Sequence, residues 1–117
     1  MASTSNVSVA IVSTGDYAFN QSYSAAANTS SPSQSDLVTL ASGLNTITPP
    51  TGGSTPKRLT IVPPSGNTAT MTLKGVTGDT GVVLHKTDWT SIALDSPTTT
   101  LALTCSAQIA GVRLIWT

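Results

Sequence analysis

Residues Lys57 to Asp95 read KRLTIVPPSGNTATMTLKGVTGDTGVVLHKTDWTSIALD, and this stretch decides the fold. Apolar residues alternate in it with threonine and other polar residues, and proline, glycine and asparagine interrupt the alternation at short intervals. A period of two places alternate side chains on opposite faces of a strand, and the interrupting residues are those that favour turns. The stretch therefore predicts consecutive antiparallel strands joined by tight loops.

The clearest predicted hairpin is centred on residues 63–67, which read PPSGN. Leu59 and Ile61 before this loop share one face, and the apolar residues after it alternate in the same way. Hairpin loops of this length often need a residue with positive φ, and Gly66 or Asn67 is expected to supply it. We therefore expect the two flanking strands to be neighbours in one sheet.

The same alternation continues outside this stretch, from residue 36 to the C-terminus, with turn residues about every eight to twelve positions. It predicts an all-β fold, an antiparallel β-sandwich of eight to ten short strands without a helix. We expect a jelly-roll-like strand order, although an immunoglobulin-like order has the same periodicity. Four leucines on the apolar sides of predicted strands are expected in the core: Leu73, Leu84, Leu103 and Leu114.

The first 35 residues differ from the remainder of the chain. They hold one clear apolar strand, Val7 to Val12, an aromatic stretch and a polar segment over residues 24–35. A lone strand is not stable in water, so this one must join its own body or pair with a neighbouring subunit. We therefore predict an N-terminal arm over residues 1–35, partly extended, and a β-sandwich body over residues 36–117.

The charge content is unusually low. Charged residues make up 9% of the chain, five basic and five acidic, against about 25% in an average soluble domain. A neutral surface with few charges protects poorly against self-association, which favours a homo-oligomer. Lys57 and Arg58 are the only adjacent basic pair, so we expect no nucleic-acid partner. No apolar run reaches the roughly 20 residues of a membrane span, and the N-terminus lacks the basic start of a signal peptide. We therefore expect synthesis in a cytoplasm and no membrane partner.

No catalytic, metal or cofactor site is predicted. His85 is the only histidine, and no G-x-S-x-G sequence accompanies it, so a nucleophilic triad is not expected. Asp79, in a glycine-rich loop, is the best calcium candidate, but the D-x-D-x-D-G spacing is missing and a turn-forming role is favoured. Cys105 follows Leu101 and Leu103 at a period of two, which indicates a small buried hydrophobe. We therefore expect a protein that is not an enzyme.

Aromatic residues offer the best candidates for contact with a partner or ligand. Trp116 continues an alternating strand and is expected in the core or an interface, whereas Trp89 falls in a predicted loop. Tyr17, Phe19 and Tyr23 alternate and could share one face of a second strand. Exposed aromatic rings bind protein partners and also stack against sugars, so both kinds of ligand stay open.

Three motifs carry a resemblance to small virion structural proteins of tailed bacteriophages, extending over about residues 37–117. They are PPSGNT at residues 63–68, TLKGVTGDTGVVLH at 72–85 and GVRLIW at 111–116. The resemblance implies a non-enzymatic β-sandwich accessory that decorates or cements the capsid, or forms part of the tail. It brings no catalytic motif, and the first 35 residues lie outside it.

The partners that this resemblance implies are further copies of the chain, with a trimer as one candidate state, and the major capsid or tail proteins. It implies a location in the virion after synthesis in the host cytoplasm. The alternative is a carbohydrate-binding or adhesion module on a phage fibre, with a glycan as its ligand.

Overall fold

The computed structural model of the chain describes residues 3–5, 8–13, 19–24, 28–30, 34–50, 58–74, 79–95 and 100–117. These residues contain twelve β-strands and no helix. In chain order the strands are β1 (Ser3–Ser5), β2 (Ser8–Ser13), β3 (Phe19–Ser24), β4 (Asn28–Ser30), β5 (Gln34–Leu40), β6 (Gly43–Ile47), β7 (Arg58–Val62), β8 (Met71–Lys74), β9 (Val82–Val83), β10 (Thr90–Ala93), β11 (Leu101–Cys105) and β12 (Ile109–Trp116).

The last eight strands form two antiparallel sheets of four strands each. One sheet has the order β10-β7-β12-β5 and the other has the order β6-β11-β8-β9. Buried side chains from both sheets form one hydrophobic core cluster. The predicted all-β antiparallel sandwich is therefore confirmed. Eight strands lie in these two sheets, and the four N-terminal strands bring the described total above the eight to ten predicted.

The pairing of these eight strands is nested. β5 pairs with β12, β6 with β11, β7 with β10, and β8 with β9. Every connection except the one between β8 and β9 therefore passes from one sheet to the other. Two further pairings, β7 with β12 and β8 with β11, join the nested pairs into complete sheets.

Strand β7, at the start of residues 57–95, shows the expected alternation of side chains. β7 has buried Leu59 and Ile61 between half-buried neighbours. It ends at Val62, because Pro63 and Pro64 cannot donate to a ladder. A strand of this pattern presents one apolar face to the core and one mixed face outward, as the sequence predicts.

The predicted hairpin over residues 63–67 is wrong. β7 and β8 lie in different sheets, and residues 63–70 cross between them. Positive φ occurs among the described residues only at Gly43, Gly81 and Gly111, so neither Gly66 nor Asn67 adopts it. A crossing of this length does not need a mirror-image turn. It is shaped instead by the bond from Asn67 N–H to the Pro64 carbonyl, 3.0 Å long.

The core lies between the two sheets. Its largest fully buried side chains are Trp116, Leu59, Ile61, Met71, Leu103 and Val112. Of the four leucines predicted there, Leu84, Leu103 and Leu114 are buried, while Leu73 is partly buried against the cluster. Buried Trp116 and Cys105 agree with their predicted core positions.

The N-terminal strands pair with one another among the described residues. β2 pairs with β3 from Ser8↔Ser24 to Ser13↔Phe19, and β1 pairs with β4 from Ser3↔Ser30 to Ser5↔Asn28. Both ladders are antiparallel and join the same two segments of chain. The strand predicted at Val7 to Val12 therefore has a partner inside residues 1–35 (Val7 itself lies outside the described residues), which the sequence analysis did not consider.

Candidate interaction surface

The candidate functional site is the segment of residues 82–89, which we call the 82–89 surface. It comprises strand β9 and the loop that leads to β10, and these two strands lie at the edges of their sheets. Val82, Val83 and Trp89 are 64%, 64% and 57% exposed. Leu37 in β5 and Leu44 in β6 are also exposed, at 64% and 54%. The 82–89 surface is the candidate because it has three such side chains within eight residues.

Gly81 determines how this segment begins. Its φ of +76° is a conformation that residues with a side chain rarely adopt. A Cβ at this position would lie 2.5 Å from the carbonyl oxygen of Leu73 and 2.8 Å from side-chain atoms of Thr72 and Lys74. Only glycine lets the chain approach β8 this closely, so Gly81 fixes where β9 starts on the sheet.

Asn67, in the crossing between β7 and β8, holds the loop after β9. Its side-chain amide donates to the carbonyl oxygen of Lys86 at 2.8 Å and to that of Ala69 at 3.0 Å. Its Oδ1 accepts from the N–H of Ala69 at 3.1 Å. One side chain thus shapes the crossing between β7 and β8 and connects it to the 82–89 surface.

His85 and Asp88 shape the loop from within. The Nδ1 atom of His85 accepts from the N–H of Thr87 at 3.3 Å and from that of Asp88 at 3.0 Å. Oδ1 of Asp88 accepts from the N–H of Trp89 at 2.9 Å. Side chains that bind nearby backbone groups in this way define a turn without a ladder. In this arrangement Nδ1 of His85 is the acceptor of both bonds.

The result is an exposed indole on a fixed backbone. Trp89 has its own N–H bonded and is followed directly by Thr90, which pairs with Ile61 in β7. A rigidly presented aromatic side chain loses little conformational entropy on binding, and tryptophan is enriched among residues that dominate interface energies. The geometry suits recognition of another surface.

The electrostatics of the 82–89 surface are balanced. Lys86 and Asp88 are both exposed and carry opposite charges two residues apart. Elsewhere, Arg58 donates to Oγ of Ser91 at 3.3 Å and Arg113 donates to Oγ of Ser35 at 2.9 Å. Both arginines lie in the sheet β10-β7-β12-β5 and bind neutral serine hydroxyls there. Because Lys86 and Asp88 carry opposite charges, the 82–89 surface attracts neither strongly anionic nor strongly cationic partners.

The structure describes three of the four residues that the sequence predicts to contact a partner or ligand. Trp89 is exposed in a loop, as the sequence indicates. Phe19 and Tyr23 lie four positions apart in strand β3, and Tyr17 lies outside the described residues. Val82 and Val83 were not among the contact residues predicted from the sequence. The only sequence signal for a strand boundary here is Gly81, which directly precedes β9.

The residues considered for chemistry lie apart. His85 and Asp79 are exposed, while Cys105 is buried with its Sγ 3.8 Å from the amide nitrogen of Asn45. Burial raises the pKa of the Cys105 thiol above its usual value, which disfavours the reactive thiolate. In the described ranges, no three His, Cys, Asp or Glu side chains form a group that could hold a metal ion.

Two grooves occur elsewhere on the described surface. One, of about 320 Å³, opens between edge strands β5 and β6, and its lining includes buried Ile47 and Trp116 together with Asp36. The other, of about 360 Å³, lies between Pro64 and Gln108, and its lining has no titratable side chain. Neither brings a nucleophile, a base and an acid together.

The described part of the chain has no helix of the length and apolarity needed to cross a membrane. The chain matched no protein-family model, no curated protein and no solved structure in the three comparisons with known proteins. The fold and the surface therefore define the class only as a β-sandwich protein with an exposed loop over residues 84–89.

Proposed function

We propose that this chain is a non-enzymatic structural protein of a tailed-phage virion, a homo-oligomeric accessory that decorates or cements the capsid or forms part of the tail. The observation that carries the proposal is the exposed Trp89, 57% accessible, on a loop fixed by Asn67, His85 and Asp88. Such an ordered loop on a rigid sandwich serves attachment to another protein. The motif resemblance at residues 63–68, 72–85 and 111–116 supplies the virion context.

The strand order supports this proposal. Eight strands paired in nested fashion across two sheets are the arrangement that we interpret as jelly-roll-like. Jelly rolls serve as capsid domains in viruses and also as lectin domains. The same architecture is therefore compatible with the main proposal and with its alternative.

The alternative function is a carbohydrate-binding or adhesion module on a phage fibre. The exposed indole of Trp89 favours it, because a free aromatic face can stack against a sugar ring. A glycan array separates the two functions. A saccharide bound by the wild-type chain and lost in Trp89→Ala would favour the module over the structural accessory.

The test of the main proposal is the position of the chain in the particle. Gold-labelled antibody against the chain is applied to intact particles of the phage that encodes it, and purified Trp89→Ala is compared with wild type for binding to particles that lack the protein. We expect label on the head or the tail and weaker binding of the variant. Particles that carry no label would refute a virion location.

Strands β1 to β4, at the N-terminal end of the chain, form the assembly arm in this proposal. A two-stranded hairpin is at best marginally stable alone, so contact with a neighbouring subunit or the virion would order strands β1 to β4. Deletion of residues 1–33 tests this and leaves β5 intact, because β5 begins at Gln34. We expect a chain that folds but assembles poorly. Normal assembly after the deletion would refute the arm.

A further inference from the structure

The four edge strands of the sandwich differ in how well they are protected. β5 carries Asp36 opposite the buried Leu114 and therefore on its inward face, and an inward charge at an edge opposes pairing with another chain. β6 has Asn45 on its inward face, and β10 has Ser91 bonded by Arg58. β5 and β6 also expose a leucine each, Leu37 at 64% and Leu44 at 54%, but among the four edge strands only β9 consists entirely of exposed apolar residues, both 64% exposed.

The backbone of β9 also has groups directed outward. Val83 lies opposite Thr72 in the ladder with β8, and the next N–H, that of Leu84, donates to the Met71 carbonyl at 2.8 Å. In an antiparallel ladder the bonding groups of successive residues point to opposite sides. The N–H and C=O of Val83 therefore point away from β8, toward the side of β9 where no described strand pairs with it.

We propose that β9 pairs antiparallel with β9 of a second copy of this chain, about a two-fold axis at Val83. This inference rests on the homo-oligomer in the proposed function and names its contact. Only residues with outward bonding groups can exchange hydrogen bonds across the new edge. Val83 therefore lies opposite Val83 of the second copy, with two N–H···O bonds between them.

The chemistry of the surrounding surface suits a second copy. Lys86 and Asp88 give the 82–89 surface one positive and one negative charge, so two identical surfaces do not repel each other through net charge. Pairing also covers the exposed side chains of Val82 and Val83. A strongly charged partner would find no complementary field on this edge.

Proline at the edge provides a first test. Val83→Pro removes the outward N–H, whereas the bonds of β9 to β8 come from its neighbours, so the subunit keeps its fold. Val83→Thr is the matched control because it keeps the N–H and the branched Cβ. In sedimentation measurements over a concentration series, we expect dimers of wild type and Val83→Thr and only monomers of Val83→Pro. A monomeric wild type, or a dimeric proline variant, would overturn the proposal.

Disulfide trapping tests the register without requiring proline to be tolerated. Opposite residues in a hydrogen-bonded antiparallel pair have Cα atoms about 5.5 Å apart, within the range for a disulfide. Val83→Cys should therefore form covalent dimers under mild oxidation. Val82→Cys is the control with equal exposure, since in this register the two copies of residue 82 are diagonal neighbours about 7–8 Å apart. Trapping at 82 instead of 83 would contradict the register.

These experiments use purified protein and are independent of the particle. A chain that is monomeric in solution but labels virions would remove the β9 pairing and the homo-oligomer, and leave the virion location intact. A β9-paired dimer that labels no particle would remove the virion role and leave the pairing.

Discussion

Replacement of Asn67 by alanine should loosen the loop that carries Trp89. The substitution removes three hydrogen bonds, two with Ala69 and one with the Lys86 carbonyl. Each is worth about 0.5–1.5 kcal/mol net. Because the site is partly exposed, we expect a total loss of about 1–3 kcal/mol in the free energy of unfolding.

The loss within the loop can be separated from the loss of global stability. Only the bond to Lys86 connects Asn67 to the 82–89 surface, so the loop itself loses about 0.5–1.5 kcal/mol. This corresponds to a roughly two- to tenfold larger equilibrium constant for local opening of the loop. Hydrogen exchange at the amides of Thr87, Asp88 and Trp89 reports it, because these amides are bonded within the loop.

Thr68→Ala is the control for this experiment, since Thr68 is exposed beside Asn67. We expect it to leave both the unfolding free energy and the exchange of the loop amides near the wild-type values. If Asn67→Ala lowers global stability while the exchange of the loop amides stays unchanged, Asn67 does not hold the loop of the 82–89 surface. Asn67 would then shape only the crossing between β7 and β8, and another contact would hold Trp89.

Three further predictions concern the body. Gly81→Ala should cost about 1–3 kcal/mol or more by chemical denaturation, because φ is +76° and the new Cβ meets the Leu73 carbonyl; a neutral effect would show that β9 does not need this close approach. Leu103→Ala should cost about 2–5 kcal/mol and Leu73→Ala less, because Leu103 is fully buried and Leu73 is not; equal losses would contradict this packing. Burial raises the pKa of the Cys105 thiol above its usual value, so its contribution to stability is full below the unfolded-state pKa and is lost as the pH rises through the folded-state pKa; a Cys105→Ala variant should lack this alkaline decline in melting temperature.

The sequence predicts local features of this protein well because they depend on neighbouring residues. Alternation in Leu59 and Ile61, and the prolines that follow, locate β7 and its end. The same reasoning places Leu103, Leu114 and Trp116 in the core. Each of these inferences needs only the geometry of a strand and the cost of exposing apolar surface.

Long-range pairing is not predictable in the same way. The residues before and after Pro63 look like the arms of a hairpin, yet the strands enter different sheets. Their partners are set by segments many residues away, and an alternating pattern does not identify its partner strand. The exposure of Val82 and Val83 follows from the position of β9 at an edge, so their role as a candidate surface also required the structure.

The nested pairing determines when this protein can fold during synthesis. β5 is the first strand of the body to leave the ribosome, and its partner β12 is the last. β12 also borders β7 and carries Val112, Leu114 and Trp116 into the core. The sheet β10-β7-β12-β5 and the core cannot be completed before β12 is made, and contacts this distant in sequence also form slowly. A stop codon before residue 112 would therefore leave β5 and β7 without their shared neighbour, and the chain would accumulate as an aggregation-prone fragment.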